Sequence, residues 1–503
     1  MQPTADQLRR ERVTPGESGE TAWPLPVVAA TLLILVLGGI SLNGRSIWLD
    51  ESITAGLARG SWSSWWTGVA EDGGSQSLYF LAARLTSMLG DDPWVYRLPS
   101  LLAAAAVPMP TYRLAARRFG PSVATIAVVI LAVSYSFVTN AQEARSYTML
   151  AALITWSWLL LDRAIETPSP ARWLRWGIVT ALTLYAQPLG LPILMGQAIW
   201  MLIERRRLVA RSVITGFAAA AVISVPFGYL TLFEAGDHTS WLGTFRLRSF
   251  AELVAAAFGA QRVSDALVLS AVGTLLAVGF ATVGALSPRP GNDGGQPTSV
   301  SGHKRQLPYV LWVVVPIMVL LVGSAFRAFL IARYAVPLVP ATATLAAVGI
   351  QRLRLVDRRA PLVATAVLVA ALLGRTVAGY GNEPVPWDEL QAHVSEQAII
   401  DDIVAFEPAY TQAPFEYYTW LRGDETTMAR PMAPALGWTP PRHPNLDVYP
   451  TTPLAPPSGA LWIVVRLDEG RVPDLLARFG IPMRETERTS FGEATVIRFE
   501  EAE

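Results

Sequence analysis

The sequence predicts a polytopic α-helical membrane protein that carries a small α/β domain at its C-terminal end. Hydrophobic residues make up 52% of the chain and charged residues 16%, and the mean hydropathy is +0.35. Apolar residues come in blocks of about 18–22, the length that a membrane-spanning helix needs. Beyond residue 380, short strand-like runs replace these blocks. The absence of cysteine excludes disulfides, thiol nucleophiles and zinc–thiolate sites.

The N-terminal part divides into a polar tail and a membrane domain. Residues 1–22 are rich in Glu and Arg, so we expect a disordered cytoplasmic tail. The apolar stretch that follows is too long for a signal-peptide core, so it is interpreted as the first span. Residues 23–379 are expected to form the membrane domain, with about eleven spans. These spans are predicted at 23–42, 98–116, 120–138, 146–162, 173–189, 190–204, 212–233, 264–286, 308–325, 335–351 and 360–379.

Basic residues predict the orientation of the spans. With the N-terminus in the cytoplasm, the inner segments hold twenty Arg and Lys residues and the outer loops ten. Residues 77–89 are apolar but too short to span, and a span there would invert every later loop. We therefore expect 77–89, and the Trp-rich segment 54–69, to lie along the outer interface as helices. This arrangement predicts a multi-pass protein of the plasma membrane with a long, structured first outer loop.

The C-terminal residues 380–503 are predicted to form an α/β domain outside the cytoplasm. The inner loop 287–307 has the Gly, Pro and Ser content of a flexible linker. Strands are predicted at Ile399–Phe406, Leu461–Val465 and Thr495–Phe499. Helices are predicted at 386–397, 414–421 and 472–479.

Two adjacent acidic residues follow the first span, in the sequence Trp48-Leu-Asp50-Glu51. Paired carboxylates at a membrane boundary suit proton abstraction or cation binding. The alternative is that Asp50 only caps the helix that follows. We favour the functional interpretation because other polar residues are expected at the same face of the membrane.

Those other residues come from four outer segments. The second outer loop holds Glu143 and Arg145, which could instead pair with each other. The fourth holds Asp237 and His238, although a single His among loop carboxylates is more often only solvated. Arginine is the side chain best suited to bind phosphate, although it also snorkels to lipid headgroups. The candidate arginines are Arg97, Arg327 and Arg333, the last followed by Tyr334.

A carboxylate base beside an arginine-lined phosphate site suits group transfer from a lipid-phosphate carrier to an external hydroxyl. No segment resembles a nucleotide-binding loop, which fits a lipid-linked donor rather than a soluble sugar nucleotide. No nucleic-acid partner is expected.

Five weak motifs occur in a characteristic order along the first 350 or so residues: Trp48-Leu-Asp50-Glu51, Leu78-Tyr79-Phe80, Tyr96-Arg97-Leu98-Pro99-Ser100, Ala144-Arg145-Ser146-Tyr147, and Arg333-Tyr334 with Pro337 and Pro340. In the order of these motifs the chain resembles the GT-C glycosyltransferases, in the branch of protein O-mannosyltransferases, aminoarabinose transferases and actinobacterial mannosyl- and arabinosyltransferases.

The resemblance implies a single inverting displacement with a polyprenyl-phosphate sugar as donor and an extracytoplasmic glycan, lipid or protein as acceptor. It implies Asp50 as the base, with Glu51 as its neighbour or substitute. It also implies Arg97 and Arg333, with Tyr334 and Arg327, as the donor-phosphate site. Glu143 corresponds to a second-loop acid that assists or binds a cation.

The metal ligands stay unknown at this stage. Relatives often carry two prolines where this chain has Gln76-Ser77, and Glu143 is longer than the usual second-loop acid and offset from its position. We therefore expect no required cofactor, with Mg²⁺, Ca²⁺ or Mn²⁺ as the alternative.

Two other functions compete with the transferase. A transporter or flippase of a polyprenyl-linked or other polar lipid would also use membrane charges, but it favours duplicated halves and broken helices. A non-catalytic partner that binds cell-wall glycan would tolerate replacement of Asp50 and Glu51. The sequence does not distinguish mannose from arabinose as the sugar.

Overall fold

The computed structural model describes residues 23–234, 246–260, 267–286, 299–326, 330–380, 383–399, 401–423, 430–431, 459–466, 469–477 and 479–502. Most of the described chain is helical, and a five-stranded sheet lies near the C-terminus. The predicted fold class is confirmed.

The membrane part consists of helices. Many of these helices have proline in the first turn, where its missing N–H would have no partner within the helix anyway. These helices are α1 (Leu25–Gly39), α2 (Leu49–Arg59), α3 (Trp62–Glu71), α4 (Ser77–Thr86), α5 (Pro93–Ala105), α6 (Pro108–Phe119), α7 (Pro121–Val133), α8 (Tyr135–Ala141), α9 (Tyr147–Glu166), α10 (Pro170–Ala186), α11 (Gly190–Ile203), α12 (Ala210–Tyr229), α13 (Leu247–Ala257), α14 (Leu267–Leu286), α15 (Ser299–Gly323), α16 (Val339–Arg352) and α17 (Ala360–Ala378).

Six of the described helical segments are long and apolar enough to cross a bilayer, and seven if α7 and α8, bent by 58°, form one broken span. Helices α1 and α11 are apolar but shorter. The protein is a membrane protein, and the number of eleven spans stays a prediction. Helices α14 and α16 approach closely through glycine: a Cβ at Gly284 would lie 2.0 Å from the Leu345 carbonyl oxygen.

Besides the span predicted at 120–138, which is bent between α7 and α8, two further predicted elements differ from the structure. The span predicted at 98–116 is two helices, α5 and α6, which meet ahead of Pro108. Proline lacks the N–H that a continuous helix would need and crowds the preceding turn, which explains the break. In the predicted linker 287–307, residues 287–298 lie outside the described residues, and residues 299–307 belong to helix α15. Helix α15 therefore starts in the polar residues 299–307 and continues without interruption into the apolar residues that follow them.

The segment predicted to be the first outer loop contains the two predicted helical regions. Helices α2 and α3 cover the Trp-rich segment, and α4 continues into a 3₁₀ turn at Ser87–Leu89. The Ser61 hydroxyl accepts a hydrogen bond from the Ser64 N–H and caps α3. Trp62 and Trp66 remain exposed on α3, as expected for residues at a membrane interface.

The C-terminal region forms a mixed sheet with helices packed around it. The strands are β1 (Ile403–Glu407), β2 (Arg430–Pro431), β3 (Leu461–Arg466), β4 (Met483–Phe491) and β5 (Ala494–Glu501), and the helices are α18 (Trp387–Gln397), α19 (Gln412–Arg422) and α20 (Val472–Ala477). The strand order in the sheet is β2–β1–β3–β5–β4. The strand β4 was not predicted, because its side chains are mostly charged or polar and it pairs only with β5, at the sheet edge.

The C-terminal domain shares a hydrophobic core with the first outer loop. Ile47, Leu57 and Tyr96 from the loop region pack in one buried cluster with Phe415 and Tyr418 of α19. A boundary at residue 380 therefore separates two compositions but not two independent cores.

Candidate active site

Asp50 lies in the first turn of α2. Trp48, not Asp50, occupies the N-cap position of this helix, so Asp50 does not act as the N-cap. The Asp50 side chain is 18% exposed. Its Oδ2 atom lies 3.2 Å from Nη2 of Arg333 and 3.6 Å from Nη2 of Arg145. Two guanidinium groups from distant parts of the sequence therefore converge on one carboxylate.

Glu51 faces the protein interior, where Arg97 forms hydrogen bonds with both of its carboxylate oxygens. Both side chains are 1% exposed. Arg97 donates from Nε and Nη2 to the two Glu51 carboxylate oxygens, at 2.8 and 2.7 Å. Its remaining N–H groups donate to the carbonyl oxygens of Leu42, Arg45 and Ser46.

This geometry does not fit the predicted role of Arg97 in binding donor phosphate. A guanidinium has five N–H groups, and all five of Arg97 are committed within the protein. Glu51 is similarly unsuited to replace Asp50 as a base, because its carboxylate is enclosed. The pair instead fixes α2 against the segment that follows the first span.

The second outer loop is held by the same helix α2. The Ala144 N–H donates to Glu51 Oε1 at 2.7 Å, and the Thr54 hydroxyl donates to the Ala144 carbonyl oxygen at 3.0 Å. The Ser100 hydroxyl lies 2.6 Å from the Glu143 carbonyl oxygen and 2.8 Å from that of Arg145. These contacts present the Glu143 and Arg145 side chains next to Asp50.

Arg145 pairs with Asp50, whereas the sequence analysis gave pairing with Glu143 as one alternative. Burial raises the pKa of the Glu143 carboxyl, against the opposing effect of Arg45. The nearby Glu51 and Asp50 carboxylates raise this pKa further, and Arg333 lowers it. Glu143 thus lies within electrostatic range of the whole cluster.

Aromatic rings form one side of the site. The guanidinium of Arg333 lies 5.2 Å from the Trp48 ring centre and 5.8 Å from that of Tyr147. Tyr334 packs against Tyr147, with ring centres 6.2 Å apart. Stacking on aromatic faces holds a guanidinium in place while leaving its N–H edge available.

The site has unused hydrogen-bond donors. The Nε atoms of Arg45, Arg145 and Arg333 are buried and have no hydrogen-bond partner among the described residues. Sequence reasoning counted Arg45 only as an outer-loop charge and did not place it in the site. Its position five residues before Asp50, in the same short segment, was the available signal.

Three predicted site residues, Arg327, Asp237 and His238, lie outside the described residues. Within the part of the chain that the structure describes, no group of three or more His, Asp or Glu side chains could hold a metal ion. Two guanidinium groups, of Arg145 and Arg333, lie next to Asp50 Oδ2.

The comparisons with known proteins concern both sequence and fold. Residues 77–229 match the family model described as dolichyl-phosphate-mannose-protein mannosyltransferase. No curated protein sequence matches the chain. The fold is similar to that of ArnT from Cupriavidus metallidurans bound to undecaprenyl phosphate, with a TM-score of 0.61 and 17% identity over 94% of this chain and 97% of that chain.

The apo structure of the same ArnT gives a TM-score of 0.61 at 16% identity, over the same shares of both chains. The Archaeoglobus fulgidus oligosaccharyltransferase tethered to an acceptor peptide gives a TM-score of 0.50 at 9% identity, over 82% of this chain and 64% of that chain. The chain therefore shares the fold of these membrane glycosyltransferases, and the match over residues 77–229 agrees with the predicted resemblance to the GT-C glycosyltransferases.

Proposed function

We propose that the protein transfers a sugar from a polyprenyl-phosphate donor to a hydroxyl-bearing acceptor outside the cytoplasm. The observation that best supports this proposal is a group of three arginines, Arg45, Arg145 and Arg333, whose buried Nε atoms have no hydrogen-bond partner among the described residues. Arg145 and Arg333 lie beside Asp50, and Arg45 and Arg333 act electrostatically on Glu143, while Glu51 and Arg97 neutralise each other. A donor phosphate supplies acceptors for the unused N–H groups.

The proposed reaction is a single inverting displacement. The oxygen of the acceptor hydroxyl attacks the anomeric carbon of the sugar, and Asp50 takes the proton of that hydroxyl. The bond between that carbon and the phosphate oxygen breaks, and polyprenyl phosphate leaves with the electron pair. The three arginines stabilise the charge that develops on the departing phosphate, and Asp50 is released from its ion pairs as the phosphate takes them over.

The comparisons support a lipid-phosphate donor without identifying the sugar. The matching family is described by dolichyl-phosphate-mannose, and the ArnT crystal contains undecaprenyl phosphate. Both carriers are long isoprenoid phosphates. The transporter alternative is not favoured, because the family match and the fold both lead to transferases.

The first experiment measures transfer by the purified full-length protein from polyprenyl-phosphate mannose, arabinose and aminoarabinose to cell-wall acceptors. We expect one donor to be consumed, with inversion at the anomeric carbon. Asp92→Asn, at an exposed outer-loop residue, is the matched control for Asp50→Asn. If wild-type protein moves intact lipid-linked sugar across vesicles and transfers none, it is a flippase.

The membrane orientation is part of the proposal. We place the protein in the plasma membrane, with its N-terminus inside and the C-terminal domain outside. Because the chain lacks cysteine, single cysteines at Ser490 in β4 and Thr167 between α9 and α10 can be labelled cleanly. An impermeant thiol reagent on intact cells should label position 490 and not 167; the reverse would invert the orientation.

We also propose that transfer needs no metal ion. We expect activity to persist in EDTA with at most a modest decrease, because arginines rather than a cation neutralise the phosphate. Complete loss in EDTA, restored by Mg²⁺, Ca²⁺ or Mn²⁺, would show that a cation belongs to the site.

A further inference from the structure

The backbone just before Asp50 is held from two sides. From the membrane domain, Arg97 donates to the carbonyl oxygens of Arg45 and Ser46, at 2.9 and 3.1 Å. From the C-terminal domain, Glu383 and Tyr418 accept hydrogen bonds from the next N–H groups. The Ser46 N–H lies 2.6 Å from Glu383 Oε1, and the Ile47 N–H lies 2.8 Å from the Tyr418 hydroxyl oxygen.

A side-chain contact reinforces this grip. The Ser46 hydroxyl donates to Asp388 Oδ1 at 2.7 Å, and Asp388 lies in the first turn of α18. Ile47 itself is fully buried in the core that the C-terminal domain shares with the first outer loop. The segment 46–47 is therefore positioned as much by the C-terminal domain as by the membrane helices.

We propose that the C-terminal domain positions the catalytic base, and that the Tyr418 hydroxyl is the positioning group. This inference rests on the proposed function, because it assigns Tyr418 a part in the same transfer step. Tyr418 touches neither substrate nor Asp50, and it acts through the Ile47 peptide.

The geometry explains how such an action reaches the chemistry. Trp48 follows Ile47, caps helix α2 and holds its ring against the guanidinium of Arg333. Asp50 follows two residues later, in the first turn of the same helix. A shift of the Ile47 peptide therefore moves the turn of α2 that carries the base, and a displacement of about 1 Å at a reacting group can cost about 10²-fold in rate.

The Tyr418 hydroxyl is suited to a fixed role. Burial raises its pKa to about 12, against the opposing effect of the Ile47 hydrogen bond, so the group stays protonated throughout the neutral range. Replacement by phenylalanine removes only the hydroxyl and leaves the ring in its core. The buried Ile47 N–H then lacks its partner, and the peptide can shift to find another.

The adjacent residue provides a matched control. Tyr417 lies in the same helix α19, and its hydroxyl donates to the Asp91 carbonyl oxygen at 2.7 Å. That bond also joins the C-terminal domain to the membrane domain, but it ends before α5 and not on the segment that leads to Asp50. Tyr417→Phe therefore removes a similar contact without touching the proposed device.

The test compares Tyr418→Phe, Tyr417→Phe and wild type as full-length proteins, using the polyprenyl-phosphate sugar that the wild type consumes. We expect Tyr418→Phe to lower kcat about fivefold to tenfold with an unchanged donor KM. We expect Tyr417→Phe to leave kcat unchanged. The two variants should lose similar amounts of thermal stability, which separates positioning from simple weakening of the domain interface.

Ser46→Ala is the second variant, and it decides the question if Tyr418→Phe fails to fold. It removes the contact with Asp388 and should also lower kcat at constant donor KM. Equal kcat values for all three variants and the wild type would overturn the inference and leave the proposed function intact. Absence of transfer by the wild type itself, with every donor, would overturn the proposed function and this inference with it.

Discussion

Asp50 and Glu51 are neighbours in the first turn of one helix, yet Asp50 is partly exposed and Glu51 is buried in the core. Asp50 is 18% exposed and meets two guanidiniums only by charge, at 3.2 and 3.6 Å. Glu51 is 1% exposed and binds Arg97 through both oxygens and the Ala144 N–H through one. Successive helical positions point about 100° apart, which is enough to separate the two environments.

The difference shows how a structural acid is distinguished from a reactive one beside it. The Glu51 carboxylate already accepts hydrogen bonds from Arg97 and from the Ala144 N–H, so a substrate could bind to it only by breaking these bonds. The guanidinium groups beside Asp50 have unused N–H donors, so they can bind a donor phosphate in place of the Asp50 carboxylate. Predictions about the two residues therefore take opposite forms.

Glu51→Gln should have the largest effect on stability. Arg97 would keep its buried charge without a charged partner, which costs about 3–5 kcal/mol in comparable buried pairs. Unfolding in detergent, followed by heat or denaturant, measures the loss. Glu252→Gln is the control: its pair with Arg248 is exposed, so the change should stay below about 1 kcal/mol.

Asp50→Asn should reverse this pattern. The amide has nearly the same shape but cannot take the acceptor proton, so we expect a loss of about 10²-fold or more in kcat. Its stability should stay close to that of the wild type. A stable, inactive Asp50→Asn beside an unstable Glu51→Gln sharpens the comparison. An active Asp50→Asn would move the base elsewhere.

Arg333→Ala should weaken donor binding by the value of a charge-assisted hydrogen bond, about 1.5–3 kcal/mol. Arg333→Lys should recover only part of this, because an ammonium group cannot form a two-pronged contact or stack on Trp48 in the same way. Affinity for polyprenyl phosphate measures both, with Arg246→Ala at an exposed outer-loop arginine as control. Unchanged affinity in Arg333→Ala would mean that this arginine pairs with Asp50 without binding the donor phosphate.

Glu143→Gln should have the smallest effect, and its sign should depend on pH. Burial raises the pKa of Glu143, so ionisation of this side chain opposes folding, and wild-type stability falls as pH rises through that value. The glutamine side chain is neutral at every pH, so the stability of the variant lacks this dependence. It should be more stable than the wild type at alkaline pH, and the gap should close as pH falls. A gap that widens at low pH would show that the arginines hold Glu143 ionised.

Regular patterns in the sequence predicted most elements of the fold. The apolar blocks located helices such as α9, α14 and α17 within a few residues, because lipid demands long uninterrupted apolar helices. The break between α5 and α6 and the edge strand β4 were missed. Proline-bounded helices and charged edge strands are set by their neighbours more than by their own periodicity.

At the site, motif order placed Asp50, Glu143, Arg145 and Arg333 in one region, and the structure brings them together. It could not separate the roles of Asp50 and Glu51, or of Arg97 and Arg45. Those roles depend on which side chain finds its partners inside the protein, and the partners come from residues more than forty positions away.

By itself, the sequence determined that the chain is a helical membrane protein, and it identified Asp50, Glu143, Arg145 and Arg333 as candidates for one site. These properties depend on local composition and on the order of short motifs. Only the tertiary structure decided that Asp50 and not Glu51 stays partly exposed, and that the C-terminal domain forms hydrogen bonds with residues 46–47 just before it. Such facts arise because hydrogen bonds and buried charges are satisfied across the fold, by partners that no local pattern specifies.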